Sequence, residues 1–223
     1  MRNQDAVLKL PLIVVGGGGH AKVLVSTLQL LGRRILGFVD LNRSITELLS
    51  VANLGDDSAV FSHAPEQVRL VNGVGSIGSV IRRQEIYNMF SGRGYAFEAV
   101  IHPSSVVSRD VEIGEGVQIM AGAVVQSGTR LGKNTIVNTG ACVDHDCLIE
   151  AHVHIAPGVT LSGDVQIGMG SHIGAGATII QGIRVGAASV VGAGAVVIRN
   201  VPAKVTVAGV PATLLTRRTD VRP

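Results

Sequence analysis

From residue 101 onward the aliphatic positions fall every sixth residue: Ile101, Val107, Ile113, Ile119, Val125, Leu131, Val137, Val143, Ile149, Ile155, Leu161, Ile167, Ile173, Ile179, Val185, Val191 and Val197. A helix repeats every 3.6 residues and a strand every two, so neither produces this pattern. The residue after the aliphatic is often glycine, as at Gly114, Gly132, Gly168, Gly174, Gly186 and Gly192. The fourth residue after it is small or β-branched, as at Ala123, Thr129, Thr135, Ala141, Val159, Ser171, Ala177, Ser189 and Ala195. A sustained period of six predicts a parallel β-helix, in which each hexad gives one short strand and a corner. Three hexads make a triangular coil of 18 residues, and about 97 residues give five and a half coils. Residues 18 apart then stack on neighbouring coils, about 4.8 Å apart. The repeat runs from 101 to 197 without an insertion, and Pro202 and Pro211 are expected to end it.

The first half has a different rhythm. "LPLIVVGGGGHAKVLVSTLQLLG" reads as a buried strand over Leu12–Val15, a glycine loop, and a helix over Ala21–Leu31 stopped by Gly32. "RILGFVD" predicts a second strand ending at Asp40, "QVRLVNGVGS" a third, and "SVIRRQEIYNMFSGRG" a second helix. Alternating strands and helices imply a parallel sheet. The expected domains are therefore 1–98 (α/β), 99–200 (β-helix) and a C-terminal extension over 201–223.

Gly16, Gly18 and Ala21 approximate a G-x-G-x-x-G/A fingerprint, with Asp40 at the end of the next strand. Glycines let a backbone approach a phosphate, and a helix N-terminus favours negative charge. NAD, a nucleotide-sugar pyrophosphate, and a ligand-free tight turn all fit that loop. The size of the unit, half a full dinucleotide fold, argues against NAD.

Composition narrows the class. Among 223 residues there are 29 glycines, no tryptophan and 3% aromatics, as a tightly turning repetitive backbone requires. The net charge of +3 comes without a long basic run, which argues against a nucleic-acid partner. No apolar run reaches the ~18 residues of a spanning helix. The N-terminus does not read as a signal peptide, so the expected location is cytoplasmic. Two cysteines make no disulfide framework.

The chemistry concentrates in "NTGACVDHDCLIEAHVHIAPG", where His145, His152 and His154 fall within ten residues. Three readings compete. His145, His154 and His172 suggest a zinc site of the kind γ-type carbonic anhydrases build on a β-helix. His145 beside Asp146 suggests a proton acceptor held by a carboxylate. Exposed histidines on a solenoid face need no function. Cys147 falls at an inward small position and Cys142 precedes an inward valine, so a cysteine nucleophile has little support. The positions 18 residues either side of His145 are Ser127 and Gly163, both small, which leaves space beside the imidazole.

"VVGGGGHAKV", "GFVD", the repeat carrying "NTGACVDHDC", then "VHIAPG", "VVGAGAVV" and "VAGVPA" together resemble the left-handed β-helix sugar acetyltransferases, the bacillosamine-type nucleotide-sugar N-acetyltransferases and sialic acid O-acetyltransferases. The resemblance implies a homotrimer that transfers acetyl from acetyl-CoA, without a metal. It implies as acceptor the 4-amino group of a nucleotide-linked 4-amino-4,6-dideoxyhexose for surface glycan synthesis. O-acetylation of sialic acid or another sugar is the alternative, and a non-catalytic binding protein a third reading. On this likeness His145 and Asp146 are catalytic, although the family often has glutamate where Asp146 stands. Gly16, Gly17, Gly18, Gly19, His20, Asp40, Gly75 and Asn138 bind the nucleotide sugar. His154, Gly163, Ala175 and Ala193 bind the cofactor, between adjacent subunits.

Overall fold

A computed structural model describes residues 10–76 and 80–215. In the N-terminal unit β1 (Leu12–Val15) is central, flanked by β2 (Ile35–Val39) and by a C-terminal strand at Arg69–Asn72, all parallel. Successive β1 side chains point to opposite sides of the sheet, as strand geometry dictates. Leu12 and Val14 pack with Ala21, Leu24 and Leu28 of α1 (Gly19–Leu30), while Ile13 and Val15 pack with Ile86 and Phe90 of α2 (Ile81–Ser91). The three expected strands and two helices are present. A short hairpin, β3 (Glu47–Leu48) with β4 (Val51–Ala52), and a 3₁₀ turn at Asp57–Ser62 lie between β2 and the third strand. Neither carries a period long enough to announce it in the sequence.

The second half is a left-handed parallel β-helix with three faces. Up to Thr178–Ile179 each strand pairs in parallel with the one 18 residues on, for example Val124 with Cys142 and His154 with His172, so the register is the one the repeat predicts. The first face runs through the outward residues Val106, Val124, Cys142, Thr160, Thr178 and Val196; it is small-residued and is called the flat face below. The second carries Glu112, Arg130, Leu148, Gln166 and Arg184, the charged face. The third carries Val100, Gln118, Ile136, His154 and His172, and its early coils are covered by the N-terminal unit. Helix α1 reaches this covered face through Val100 and Met120, and Tyr87 of α2 meets His152 edge-on at 5.4 Å.

The interior is the aliphatic ladder: Ile119, Val137, Ile155, Ile173 and Val191 are all fully buried. Hydroxyls in the small inward positions donate to carbonyls of the next corner, as Thr135 does to Glu150 (3.0 Å) and Ser171 to Gly186 (2.9 Å). Cys147 does the same toward Ser162, and burial pushes its thiol up to about 11. It is a core residue.

Two glycine positions do different work. Glycine directly after the aliphatic lets neighbouring coils touch. A Cβ on Gly132 would stand 2.5 Å from the backbone N of Ala151 and the carbonyl carbon of Glu150. Gly132→Ala is expected to cost about 1–3 kcal/mol by forcing coils apart. Thermal denaturation measures it; an unchanged Tm would mean that the coils spread freely and that this glycine is incidental. The residue two further on takes the left-handed conformation at the corners from Gly116 to Gly194, which the sequence reading missed. Glycine supplies it at Gly140 (φ 65°) and Gly158 (φ 67°), but Asp146 (φ 59°), His152 (φ 61°) and Asp164 (φ 56°) adopt it too.

The solenoid does not stop at Pro202. Val201 pairs with Val185, and Thr206–Ala208 pairs with Val190 and Val191. This last coil is 16 residues long by the offset of Val191 and Val207, two short of the repeat. A proline at a corner removes an N–H that the ladder does not need, so it ends the period without ending the coil. An antiparallel strand at Thr213–Leu214 follows. The extension expected to lie outside the β-helix therefore begins inside it.

Candidate active site

A cleft of about 620 Å³ lies where the N-terminal unit meets the solenoid. Gly16, Gly17, Gly18, Gly19, His20, Asp40 and Gly75 line it from one side, and Asn138, Thr139 and His154 from the other. All the residues assigned to the nucleotide sugar thus converge on one space. The sequence could not measure this, because the two sets lie far apart in the chain.

The loop is built for an anion. Gly16 turns the chain with φ 101°. The cap of α1, Gly18, has no side-chain hydrogen bond, and no acid occupies the first turn. Open space faces both Gly18 and Gly19. Free N–H groups and the helix dipole therefore point into the cleft. Asp40 lines the cleft, and its carboxylate accepts from the backbone N–H of Gly17 (2.6 Å) and of Asn42 (2.7 Å). It holds the glycine loop in shape.

Both histidines of the cleft are neutral at physiological pH. His20 Nε2 bonds Gln118 Oε1 on the covered face (2.7 Å), and burial lowers it to about 4. His154 Nδ1 faces Ser76 Oγ (2.5 Å) and its carbonyl (3.1 Å), while Nε2 accepts from Asn138 Nδ2 (3.1 Å); burial, with His172 beside it, lowers it to about 3. His154, assigned to the cofactor, lies in the same cleft as the glycine loop, on the wall opposite it, and is tied to Ser76 of the N-terminal unit. His172 stacks on it edge-to-face at 4.9 Å.

His145 stands elsewhere, on the edge between the flat and charged faces. Its Nδ1 donates to Asp146 Oδ2 at 2.9 Å, and Asp144 Oδ1 accepts its backbone N–H at 2.8 Å. That leaves Nε2 free to accept a proton. The hydrogen bond to Asp146 raises its pKa above the ordinary histidine value; the charges of Asp144, Asp146 and Asp164 add to this, against a desolvation contribution that lowers it. Gly163 lies directly beneath the ring: a Cβ there would come within 2.5 Å of Cε1 and Nε2. The space that small neighbour leaves is filled by the imidazole itself rather than open beside it.

The cofactor candidates divide likewise. Gly163 is on the His145 edge. Ala175 and Ala193 are on the edge between the covered and flat faces, in one column with Thr139 and Pro157, as the bonds Gly158 N–H to Thr139 O, Gly176 N–H to Pro157 O and Gly194 N–H to Ala175 O show. That small-residue column runs straight out of the cleft. Among the described residues no group of three histidines, cysteines or acids stands together as metal ligands, and within one chain His145 is on the edge between the flat and charged faces while His154 and His172 are on the third face.

A left-handed β-helix joined to a small α/β unit through a polar cleft, with a carboxylate-held histidine on a solenoid edge, defines a hexapeptide-repeat transferase. Residues 11–90 match the PglD N-terminal domain family and residues 110–145 the bacterial transferase hexapeptide (six repeats) family. The chain is 40% identical to the acetyltransferase domain of PglB from Neisseria gonorrhoeae FA1090, with TM-score 0.87 over 92% of this chain and 99% of that one. It is 38% identical to a histidine-to-asparagine variant of perosamine N-acetyltransferase from Caulobacter crescentus, solved with CoA and GDP-perosamine, with TM-score 0.86 over 92% and 97%. WeeI from Acinetobacter baumannii AYE is 28% identical, with TM-score 0.83 over 93% and 100%. The PglB domain has also been solved in complex with acetyl coenzyme A. No curated protein sequence matches the chain. The chain belongs to the family of acetyl-CoA-dependent sugar acetyltransferases that join a PglD-type domain to a left-handed β-helix.

Proposed function

We propose that the protein transfers acetyl from acetyl-CoA to the 4-amino group of a nucleotide-linked 4-amino-4,6-dideoxyhexose, in the synthesis of a surface glycan. The observation that carries this is the cleft: an open, uncapped helix N-terminus on one wall and a solenoid edge on the other. The diphosphate sits on the glycine loop, and the sugar points toward Asn138 and His154. The pantetheine arm lies along the Thr139–Ala175–Ala193 column, where small side chains leave room.

The chain acts as a homotrimer. Its flat face is a row of small β-branched and thiol side chains with Val106 63% exposed at one end. Three copies packed by that face around a threefold axis bring the cleft-bearing edge of one against the His145 edge of the next. His145 of the neighbouring copy then faces the cleft that its own chain keeps it from. Its Nε2 takes the proton from the amine as the nitrogen attacks the thioester carbonyl. The tetrahedral intermediate collapses with loss of CoA thiolate, and the imidazolium returns the proton to the sulfur. Asp146 holds the tautomer and stabilises the imidazolium.

The test is thiol release from acetyl-CoA against UDP-, GDP- and TDP-linked 4-amino sugars, with light scattering on the same preparation. Release with one of these and a trimer mass are expected. Release only with sialic acid or another hydroxyl acceptor would reassign the reaction to O-acetylation. A fully active monomer would remove the shared site.

A further inference from the structure

Behind the cleft lies a charge that the reaction above does not use. Arg83, on α2, is 2% exposed, and none of the ion pairs among the described residues includes it. Burial depresses its guanidinium to about 9, so it stays protonated at neutral pH. A buried cation without a counter-charge is costly, so its bonds indicate what it is kept for. Nη1 donates to the carbonyls of Asn72 (2.7 Å) and Val74 (2.9 Å), and Nε to that of Asn134 (3.3 Å). Nη2 has no partner among the described residues.

Those acceptors have positions that matter. Asn72 and Val74 bracket Gly73, and residues 73–76 are one wall of the cleft. Asn134 is a corner of the solenoid. Around the guanidinium the polar groups close into a network: Asn72 Nδ2 donates to Asn134 Oδ1 (3.2 Å), Asn134 Nδ2 to His152 Nδ1 (2.9 Å), and Gln118 Nε2 to the Asn72 carbonyl (2.8 Å). Gln118 in turn holds His20. One side chain thereby joins the cleft wall, the start of α1 and the solenoid. Its charge reaches the two cleft histidines, His20 and His154, lowering the pKa of each.

We propose that Arg83 is a positioning residue for the nucleotide-sugar substrate: it fixes the Gly73–Ser76 wall against the solenoid and supplies positive charge behind it, making the cleft selective for an anionic ligand. This rests on the nucleotide-sugar reading given above. Lysine keeps the charge but cannot hold three carbonyls in a planar fork, and glutamine loses the charge as well.

The experiment compares Arg83→Lys and Arg83→Gln with the unmodified protein, by calorimetric titration with UDP and with GDP and by steady-state kinetics. The sugar-nucleotide KM and the nucleoside-diphosphate Kd are expected to rise about tenfold in Arg83→Lys, for loss of charged hydrogen bonds, and further in Arg83→Gln. The acetyl-CoA KM should stay within about twofold. A merely structural role would lower the active fraction, reducing kcat and leaving both KM values alone; that pattern, or unchanged diphosphate affinity in a folded Arg83→Gln, overturns the proposal. Should both variants fail to fold, Asn134→Gly serves: glycine adopts the φ of 57° readily, the carbonyl that Arg83 uses remains, and only the side-chain bonds to Asn72 and His152 are lost. Its diphosphate affinity should weaken about threefold, less than one full hydrogen bond to a charged group, and no change counts against the proposal. If the unmodified protein binds neither UDP nor GDP, the nucleotide-sugar reading itself fails and this proposal falls with it. Binding that is indifferent to Arg83 sinks only the positioning role.

Discussion

His145→Ala should lower kcat by about 10²–10⁴-fold, the usual contribution of positioned proton transfer, with little change in acetyl-CoA affinity. The side chain is half exposed and its interior neighbours are backbone and aspartates, so its removal leaves no cavity. The loss is therefore chemical and not a loss of fold. Asp146→Asn should cost less, because the imidazole remains. Its pH profile is the sharper measurement. A base works only when neutral, so activity falls as pH drops through the His145 pKa. The carboxylate of Asp146 raises that pKa. Removing its charge lets the pKa fall, so the acidic limb of kcat/KM moves to lower pH while the plateau drops. The amine of the acceptor titrates alike in both enzymes and cancels in the comparison. Near wild-type turnover in His145→Ala at neutral pH and saturating substrates would take the histidine out of the base role. An acidic limb that stays in place in Asp146→Asn would show that another group sets it.

Gly163→Ala should also cost about 10²-fold in kcat, the penalty of misplacing a catalytic group by about 1 Å. The new Cβ would meet His145 Cε1 and Nε2 at 2.5 Å, and Gly163 lies outside the left-handed region, so alanine meets no backbone obstacle. The conflict is with the far end of a side chain that can swing away. The prediction separates this glycine from Gly132, where the conflict is with backbone and the expected loss is stability. Kinetics and melting curves on the two variants check the pair. Gly163→Ala with normal kcat, or with a Tm drop matching that of Gly132→Ala, would mean that the ring does not rest where the geometry has it.

The sequence by itself determined the solenoid. A period of six admits one backbone, and the aliphatic ladder from Ile101 to Val197 fixed both the coil length and the stacking of His154 on His172. The unbroken aliphatic run Leu12–Val15 and the glycine run after it likewise determined the central strand and the loop. These signals are local: each hexad and each strand repeats its instruction in its own residues. The adjacency of Asp146 to His145 was legible for the same reason. What the tertiary structure decided was everything that depends on distance through space. Only docking of the N-terminal unit on the covered face brings Gly16–His20 to Asn138, and only that contact sets His154 across the cleft from the glycine loop. Asp40 turned out to brace the loop because the strand order places its carboxylate against Gly17. The buried Arg83 network carries no periodic signal at all, since its acceptors are backbone carbonyls, which every sequence has. The separation of His145 from the cleft follows from the triangular cross-section: two edges of one prism cannot face each other, which is why the proposed mechanism draws His145 from a neighbouring copy.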